Sequence, residues 1–134
     1  MFCRFFNVYG PRQDPHSPYT GVMSVFMRQA RNKQDLTIFG DGEQTRDFVF
    51  VRDLVRAVFT IFEKAESIRT GDVFNIGNET ETTINKLAET ISSYNNCKIV
   101  HQAERSGDIK YSMSCTEHIR SIGWEPSTDL AEGI

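Results

Sequence analysis

The side chains of this 134-residue chain with the most chemistry to offer are arginines, carboxylates and amides in three short segments. These are Arg4 to Arg12 around Asn7, Thr45-Arg46-Asp47, and Arg105-Ser106-Gly107-Asp108. An arginine fork donates two parallel hydrogen bonds and so suits a phosphate. A carboxylate only accepts, and so suits hydroxyl groups. Each residue also has a plainer reading. Arg46 reads equally as a surface arginine in a turn, Arg105 as a local ion pair with Glu104 or Asp108, and Asn7 as a core amide tying two loops together. Arg12 reads as a structural or oligomer-contact arginine, Trp124 as packing, and Asp53 as a helix N-terminal carboxylate favoured by the macrodipole. Metal chemistry finds no ligand set: Cys3, Cys97 and Cys115 are widely spaced without a CxxC, and His16, His101 and His118 are scattered. The cysteines read as reduced thiols of a cytoplasmic protein.

The elements that must hold these residues follow from periodicity and punctuation. With 39% hydrophobic and 25% charged residues, the chain has the composition of one globular domain over residues 1–134. Residues 1–8 read as a buried strand, and 9–18, with Gly10 and three prolines, as a loop. Val22, Val25, Phe26 and Ala30 give a helix over 20–32. Strands follow at 36–39 and 48–51, the first stopped by Gly40-Asp41-Gly42. The helix over 52–64 is apolar on more than one face, which predicts deep burial or a covering partner. A strand at 73–76 leads to an amphipathic helix over 83–94, with Thr82 or Thr83 as its N-cap. A strand at 98–101 and a helix over 116–122 come next, the helix capped by Thr116 and ended by Gly123. Ser127 or Thr128 is expected to cap a last helix beginning at Asp129. That helix is very short and the first strand opens without a polar lead, so both ends read as cut from something longer. The net charge of −3 and a pI of about 5.6 argue against a nucleic-acid partner. No apolar stretch reaches the roughly 20 residues of a membrane span, and the first residues are too short for a signal peptide.

Six segments together carry a resemblance. They are Arg4-Phe5-Phe6-Asn7-Val8-Tyr9-Gly10-Pro11-Arg12, Leu36-Thr37-Ile38-Phe39-Gly40-Asp41-Gly42, the run from Thr45-Arg46-Asp47-Phe48 to Asp53-Leu54, Val73-Phe74-Asn75-Ile76-Gly77, Arg105-Ser106-Gly107-Asp108, and Ile122-Gly123-Trp124-Glu125-Pro126. In this order and spacing they resemble the NAD-dependent epimerase/dehydratase family of extended short-chain dehydrogenase/reductases, and among these the UDP-glucose 4-epimerase-like members. The resemblance covers essentially the whole chain. It implies an α/β fold, namely the small substrate-binding domain of such an enzyme without its Rossmann cofactor domain, with residues 1–8 as an orphan strand of the missing sheet. It implies that Arg46 and Arg105 bind the diphosphate of a UDP-sugar, that Asp108 accepts from the ribose hydroxyls, and that Asn7 contacts the diphosphate or sugar. Thr37 and Phe39 would line the uracil pocket, partly through backbone groups. Gly21 and Val22 would meet the ligand at a helix start, although this sequence has Thr-Gly-Val where many epimerases carry an asparagine. Phe5 is the one position assigned to the cofactor side.

The same resemblance marks what the sequence lacks. The family needs a glycine-rich turn to cradle the NAD pyrophosphate, and no GxxGxxG or GxGxxG is present. It also uses a Tyr-x-x-x-Lys pair. One match exists, Tyr94 with Lys98, but Asn95-Asn96 between them reads as a helix end, so the two side chains would not share a helical face. The expectation is therefore a chain with no catalytic residues or cofactor of its own (NAD serving the parent family). It would bind UDP or a UDP-sugar weakly and self-associate through exposed apolar faces.

Overall fold

A computed structural model describes residues 1–14 and 21–134. In chain order its elements are β1 (Phe2–Phe5), β2 (Asn7–Tyr9), α1 (Val22–Arg31), β3 (Leu36–Phe39), β4 (Thr45–Arg46), β5 (Phe48–Phe50), α2 (Val51–Glu63), β6 (Val73–Ile76), β7 (Thr82–Thr83), α3 (Ile84–Asn95), β8 (Ile99–Gln102), α4 (Glu117–Ser121) and α5 (Leu130–Gly133). They form two compact units. Unit one is Met1–Pro11, Asp47–Thr80 and Met113–Ile134; unit two is Arg12–Arg46 and Glu81–Ser112. The expected loop over 9–18 and the first residues of the expected helix over 20–32, His16 among them, fall partly outside the described residues. None of the described helices is long and apolar enough to cross a membrane.

Unit one contains two parallel strand pairs, β1 with β6 and β2 with β5. Residues 1–8 are not one strand. The chain changes partner at Phe6, whose N–H bonds Ile76 O at 3.0 Å, while the next N–H, of Asn7, bonds Asp47 O at 2.9 Å. Nor is the first strand buried: Phe2 is 66% exposed and Phe5 51%. Composition predicts burial, but among the described residues β1 has β6 as its only partner strand. The core of the unit gathers Val49, Ala57, Ile61, Phe74, Ile76, Ile119 and Trp124, edged by Leu54 and Ile122. Leu54, Ala57 and Ile61 lie at helical spacing and make the inner face of α2. Its other apolar face looks outward, with Phe59 62% and Phe62 77% exposed.

The chain's last segment is fastened by a buried carboxylate. Asp53, 2% exposed in the first turn of α2, accepts from Ser127 N (3.1 Å), Ser127 Oγ (3.0 Å), Thr128 N (2.9 Å) and Arg56 (2.8 Å). Its backbone carbonyl accepts from the Trp124 indole at 3.0 Å. The expected role of Ser127 or Thr128 as a helix cap is thereby overturned. Both serve Asp53, and Asp129 caps the last helix by accepting from Ala131 N at 3.1 Å. Thr116 stands at the start of α4 without capping it. Its hydroxyl donates to Glu79 at 2.6 Å and accepts from Arg120 Nε at 2.8 Å.

Unit two pairs β3 with β8 in parallel and β4 with β7 antiparallel. α1 and α3 pack on each other and on β3. Met23, Phe26 and Ala30 bury one stripe of α1; Ile84, Leu87, Ala88 and Ile91 bury one stripe of α3. Thr83 caps α3 by accepting from Lys86 N at 3.0 Å. The helix ends at Asn96 in the left-handed conformation, φ 55°, so Tyr94 lies in α3 and Lys98 in the link after it, just before β8. The two-residue strands β4 and β7 are absent from the sequence reading, being too short for any periodicity to reveal.

Burial raises the Asp53 carboxyl, but the hydrogen bonds from Ser127 and Thr128 together outweigh it and leave it below the usual aspartate value. A depressed carboxyl contributes stability that is complete above its unfolded value of about 4 and lost as pH falls through the folded one. Asp53→Ala should cost about 3 kcal/mol in urea unfolding at neutral pH, because two part-buried backbone N–H groups and the Ser127 hydroxyl lose their acceptor. The gap between the two proteins should narrow as pH falls below about 4.

Candidate functional site

The polar residues singled out from the sequence gather mainly in unit two. β3 turns Leu36 and Ile38 into the core and Thr37 and Phe39 to the other, partly exposed face, as strand alternation requires. β4 places Arg46, and the loop after β8 carries Arg105 and Asp108. Backbone bonds fix that loop against β4: Thr45 N donates to Lys110 O at 2.8 Å, and Ser112 N to Thr45 Oγ1 at 3.3 Å.

Arg46 is not a free surface arginine. Its side chain is 16% exposed, and its guanidinium pairs with the Asp108 carboxylate and donates to Thr45 O at 2.8 Å. A further donation reaches Ile109 O. Arg105 does not take up the local ion-pair role either, since Asp108 is paired with Arg46. The Arg105 guanidinium lies over the Phe39 ring, 3.6 Å from its centroid, a cation–π contact that leaves the in-plane N–H groups available. A shallow pocket opens along residues 104–108. Gly107, at φ 83°, makes the turn that brings Asp108 back towards Arg105, with Asp108 N on Arg105 O at 3.4 Å. Thr37 is held by Gln29, which accepts from Thr37 N at 3.3 Å and donates to Thr37 Oγ1 at 3.2 Å. Gly21 is the N-cap of α1 and Val22 its first residue. Among the described residues nothing lies within 4 Å of where a Gly21 side chain would begin.

Two of the expected site residues lie in unit one. Asn7 donates from its side-chain amide to Asp47 O at 3.1 Å and from its backbone to the same oxygen, which is the behaviour of a tying amide. Phe5 stands half-exposed at the end of β1.

A residue the sequence reading passed over is Asp47. It is fully buried and accepts from Asn78 N (2.7 Å), Glu79 N (3.0 Å), Ser114 N (3.0 Å) and the Ser114 hydroxyl. A side chain on Gly77 would begin 2.6 Å from that carboxylate, so the strand end there must be glycine. The only sequence signal was a carboxylate opening the apolar run Phe48–Phe50.

The model of the NAD dependent epimerase/dehydratase family matches residues 1–77. The chain belongs to that family. It is 37% identical over 131 residues to the UDP-glucose 4-epimerase of Mycolicibacterium smegmatis, which covers 96% of this chain and 41% of that one. It is 43% identical over 100 residues to the UDP-N-acetyl-alpha-D-glucosaminuronate decarboxylase of Bacillus cytotoxicus, covering 73% of this chain and 30% of that one. Its structure matches the UDP-glucose 4-epimerase of Thermotoga maritima, solved with UDP-glucose, with a TM-score of 0.86 and 36% identity, over 98% of this chain and 42% of that one. The α/β fold expected from the resemblance is thus the fold of this epimerase/dehydratase family, and the chain spans about two fifths of the length of such relatives.

The family's dinucleotide needs a glycine-rich turn that delivers its pyrophosphate to a helix N-terminus. Among the described residues no helix start has that form. α2 follows β5 directly and carries Asp53 in its first turn, α3 and α5 are closed by Thr83 and Asp129, α4 opens on Glu117, and α1 opens after the single glycine Gly21. These residues do not by themselves fit NAD.

The Arg46–Asp108 pair is part-buried and backed by carbonyl acceptors, so it should couple more than an exposed pair does. A double-mutant cycle with Arg46→Ala and Asp108→Ala, read by urea unfolding, should give about 1 kcal/mol, falling only in part between low and high salt.

Proposed function

We propose that this chain is the nucleotide-sugar-binding part of a UDP-glucose 4-epimerase-like enzyme, and that residues 1–134 alone bind the ligand without turning it over. The observation that carries the reading is the grouping, within one unit, of two arginine forks, a carboxylate and an aromatic strand face. A nucleoside diphosphate sugar asks for that set. Arg46 and Arg105 would bind the diphosphate. Asp108 has one oxygen on Arg46, and its other would accept from the ribose hydroxyls. Thr37 and Phe39 would receive the base. Gly21 and Val22 would meet the ligand at the start of α1. The solved relative with UDP-glucose supports the substrate class. The chemistry that NAD supplies in the family, reversible hydride exchange with the sugar, has no glycine-rich cradle in this sequence, and the one Tyr-x-x-x-Lys match, Tyr94 with Lys98, straddles the end of α3.

A second reading, self-association, is favoured by the outward apolar face of α2, with Val55, Val58, Phe59 and Phe62 all exposed. Light scattering should show a species larger than a monomer that is lost in Phe59→Glu/Phe62→Glu. A monomer at high concentration in the unaltered chain would remove this reading.

Calorimetric titration with UDP should release heat that disappears in Arg105→Ala, with NAD giving none in parallel. Assays with UDP-glucose and added NAD should stay at the blank, since losing catalytic groups costs many orders of magnitude. Turnover well above the blank that is abolished by Arg46→Ala would overturn the proposal.

A further inference from the structure

The exposed side of α2 carries its charges the wrong way round for a lone helix. Anions are favoured near a helix N-terminus and cations near its C-terminus. α2 has Arg52 in its first turn and Glu63 in its last, both exposed. Asp53 shares the first turn, but it is buried and taken up by Ser127 and Thr128. No basic residue lies in the last turn. Nothing nearby compensates the two misplaced charges. Arg56 pairs with Asp53 and donates to Glu125 O, whereas the side chains of Arg52 and Glu63 have no hydrogen-bond or ion-pair partner among the described residues.

About three helical turns separate Arg52 from Glu63, so the two lie along one flank of the helix. Beside that flank runs the apolar stripe of Val55, Val58, Phe59 and Phe62, spaced i, i+3, i+4, i+7 and exposed throughout. Arg52 and Glu63 bracket it, one before and one after. Such a pattern is complementary to itself turned end for end. When two copies of a helix pack antiparallel about a twofold axis, each flank faces the same flank of the other with its ends exchanged. Val55 then meets the partner's Phe62, and Val58 the partner's Phe59. Arg52 meets the partner's Glu63, and the pair forms twice. Each helix end also gains the charge that its dipole favours, an anion at the N-terminus and a cation at the C-terminus. A parallel pairing would instead set Arg52 against the partner's Arg52 and Glu63 against the partner's Glu63.

We propose that the outer face of α2 is a surface for a second copy of this chain, with the two helices antiparallel and their direction set by Arg52 and Glu63. This rests on the self-association reading above and gives it a geometry. The stripe supplies the attraction, which has no direction of its own. The charges supply the direction, because only one of the two pairings puts unlike charges together. Four apolar side chains from each copy make a small interface, so the dimer is a reversible one.

Charge reversal tests the geometry without touching the core, since Arg52 and Glu63 are exposed; thermal melting checks that each variant stays folded. Sedimentation equilibrium at low salt should show a monomer–dimer equilibrium in the unaltered chain. Arg52→Glu and Glu63→Arg should each weaken the dimer about tenfold, because each turns two attractive contacts into repulsive ones. At high salt the loss should shrink to about threefold or less. The double reversal Arg52→Glu/Glu63→Arg should dimerise about as tightly as the unaltered chain. If the chain dimerises and neither single reversal weakens it, the antiparallel pairing falls and self-association stands. Parallel helices would give that result, since reversing one charge still leaves like facing like. If the dimer survives Phe59→Glu/Phe62→Glu, or if the unaltered chain stays a monomer at high concentration, the pairing and the self-association reading of α2 fall together.

Discussion

A fully buried carboxylate must be surrounded by donors, and the structure depends most on the one that Asp47 presents. Left unpaired it would cost several kcal/mol. Instead it collects three backbone N–H groups and a hydroxyl from residues 78, 79 and 114. These donors come from segments more than 30 residues away from it in sequence. One ion thus does the work of a strand pairing, closing the turn after β6 and pinning the start of the last stretch of unit one. The chain passes between that unit and unit two at 11/12, 46/47, 80/81 and 112/113. Three of these four junctions lie within two residues of the groups that meet at Asp47.

Within unit two the groups proposed to bind the ligand are already partnered. Arg46 has Asp108 and two carbonyls; Arg105 has the face of Phe39. Two arginines with no partner would repel each other and destabilise an empty site, whereas these are held where a diphosphate can reach their remaining N–H groups. The arrangement trades some affinity for preorganisation, since a ligand need not order two long side chains on arrival. It also makes the Phe39 ring a platform for Arg105.

How much of this could be read from the sequence depends on the range of the interaction. α1 and α3 are legible because Met23, Phe26, Ala30 and Ile84, Leu87, Ala88, Ile91 repeat at local spacing, and Thr83 is legible as a cap because its partner Lys86 is three residues away. The sequence singles out Arg46 and Asp108 individually, but their pairing spans 62 residues and no periodicity reports it. Asp47 and Asp53 look like ordinary carboxylates until donors from residues 78, 114 and 127 arrive. Ser127 and Thr128 were misread for the same reason: a local cap is what a serine or threonine before a helix suggests, and only the fold supplies a stronger acceptor. The strand β1 failed differently. Phe2 and Phe5 are apolar enough for a core, yet burial is a property of what lies against a residue, and hydropathy does not encode it.

The two units divide the chain's liabilities. Unit two holds the charged and backbone groups that a nucleotide would use, and its helices bury their apolar stripes on each other and on β3. The larger part of the exposed apolar surface belongs to unit one: Phe2 and Phe5 on β1, Val73 on β6, and four side chains on the outer face of α2. At roughly 25 cal/mol per Å² such surface is a strong drive to association, and it is non-directional. Nucleotide binding depends on a few angles and distances and is sensitive to single polar substitutions. Because these demands fall on different residues, a change on α2 should alter association while leaving Arg46, Arg105 and β3 as they are. On the proposed reading, ligand affinity and oligomeric state should for that reason respond to different substitutions, and each is to be perturbed one at a time.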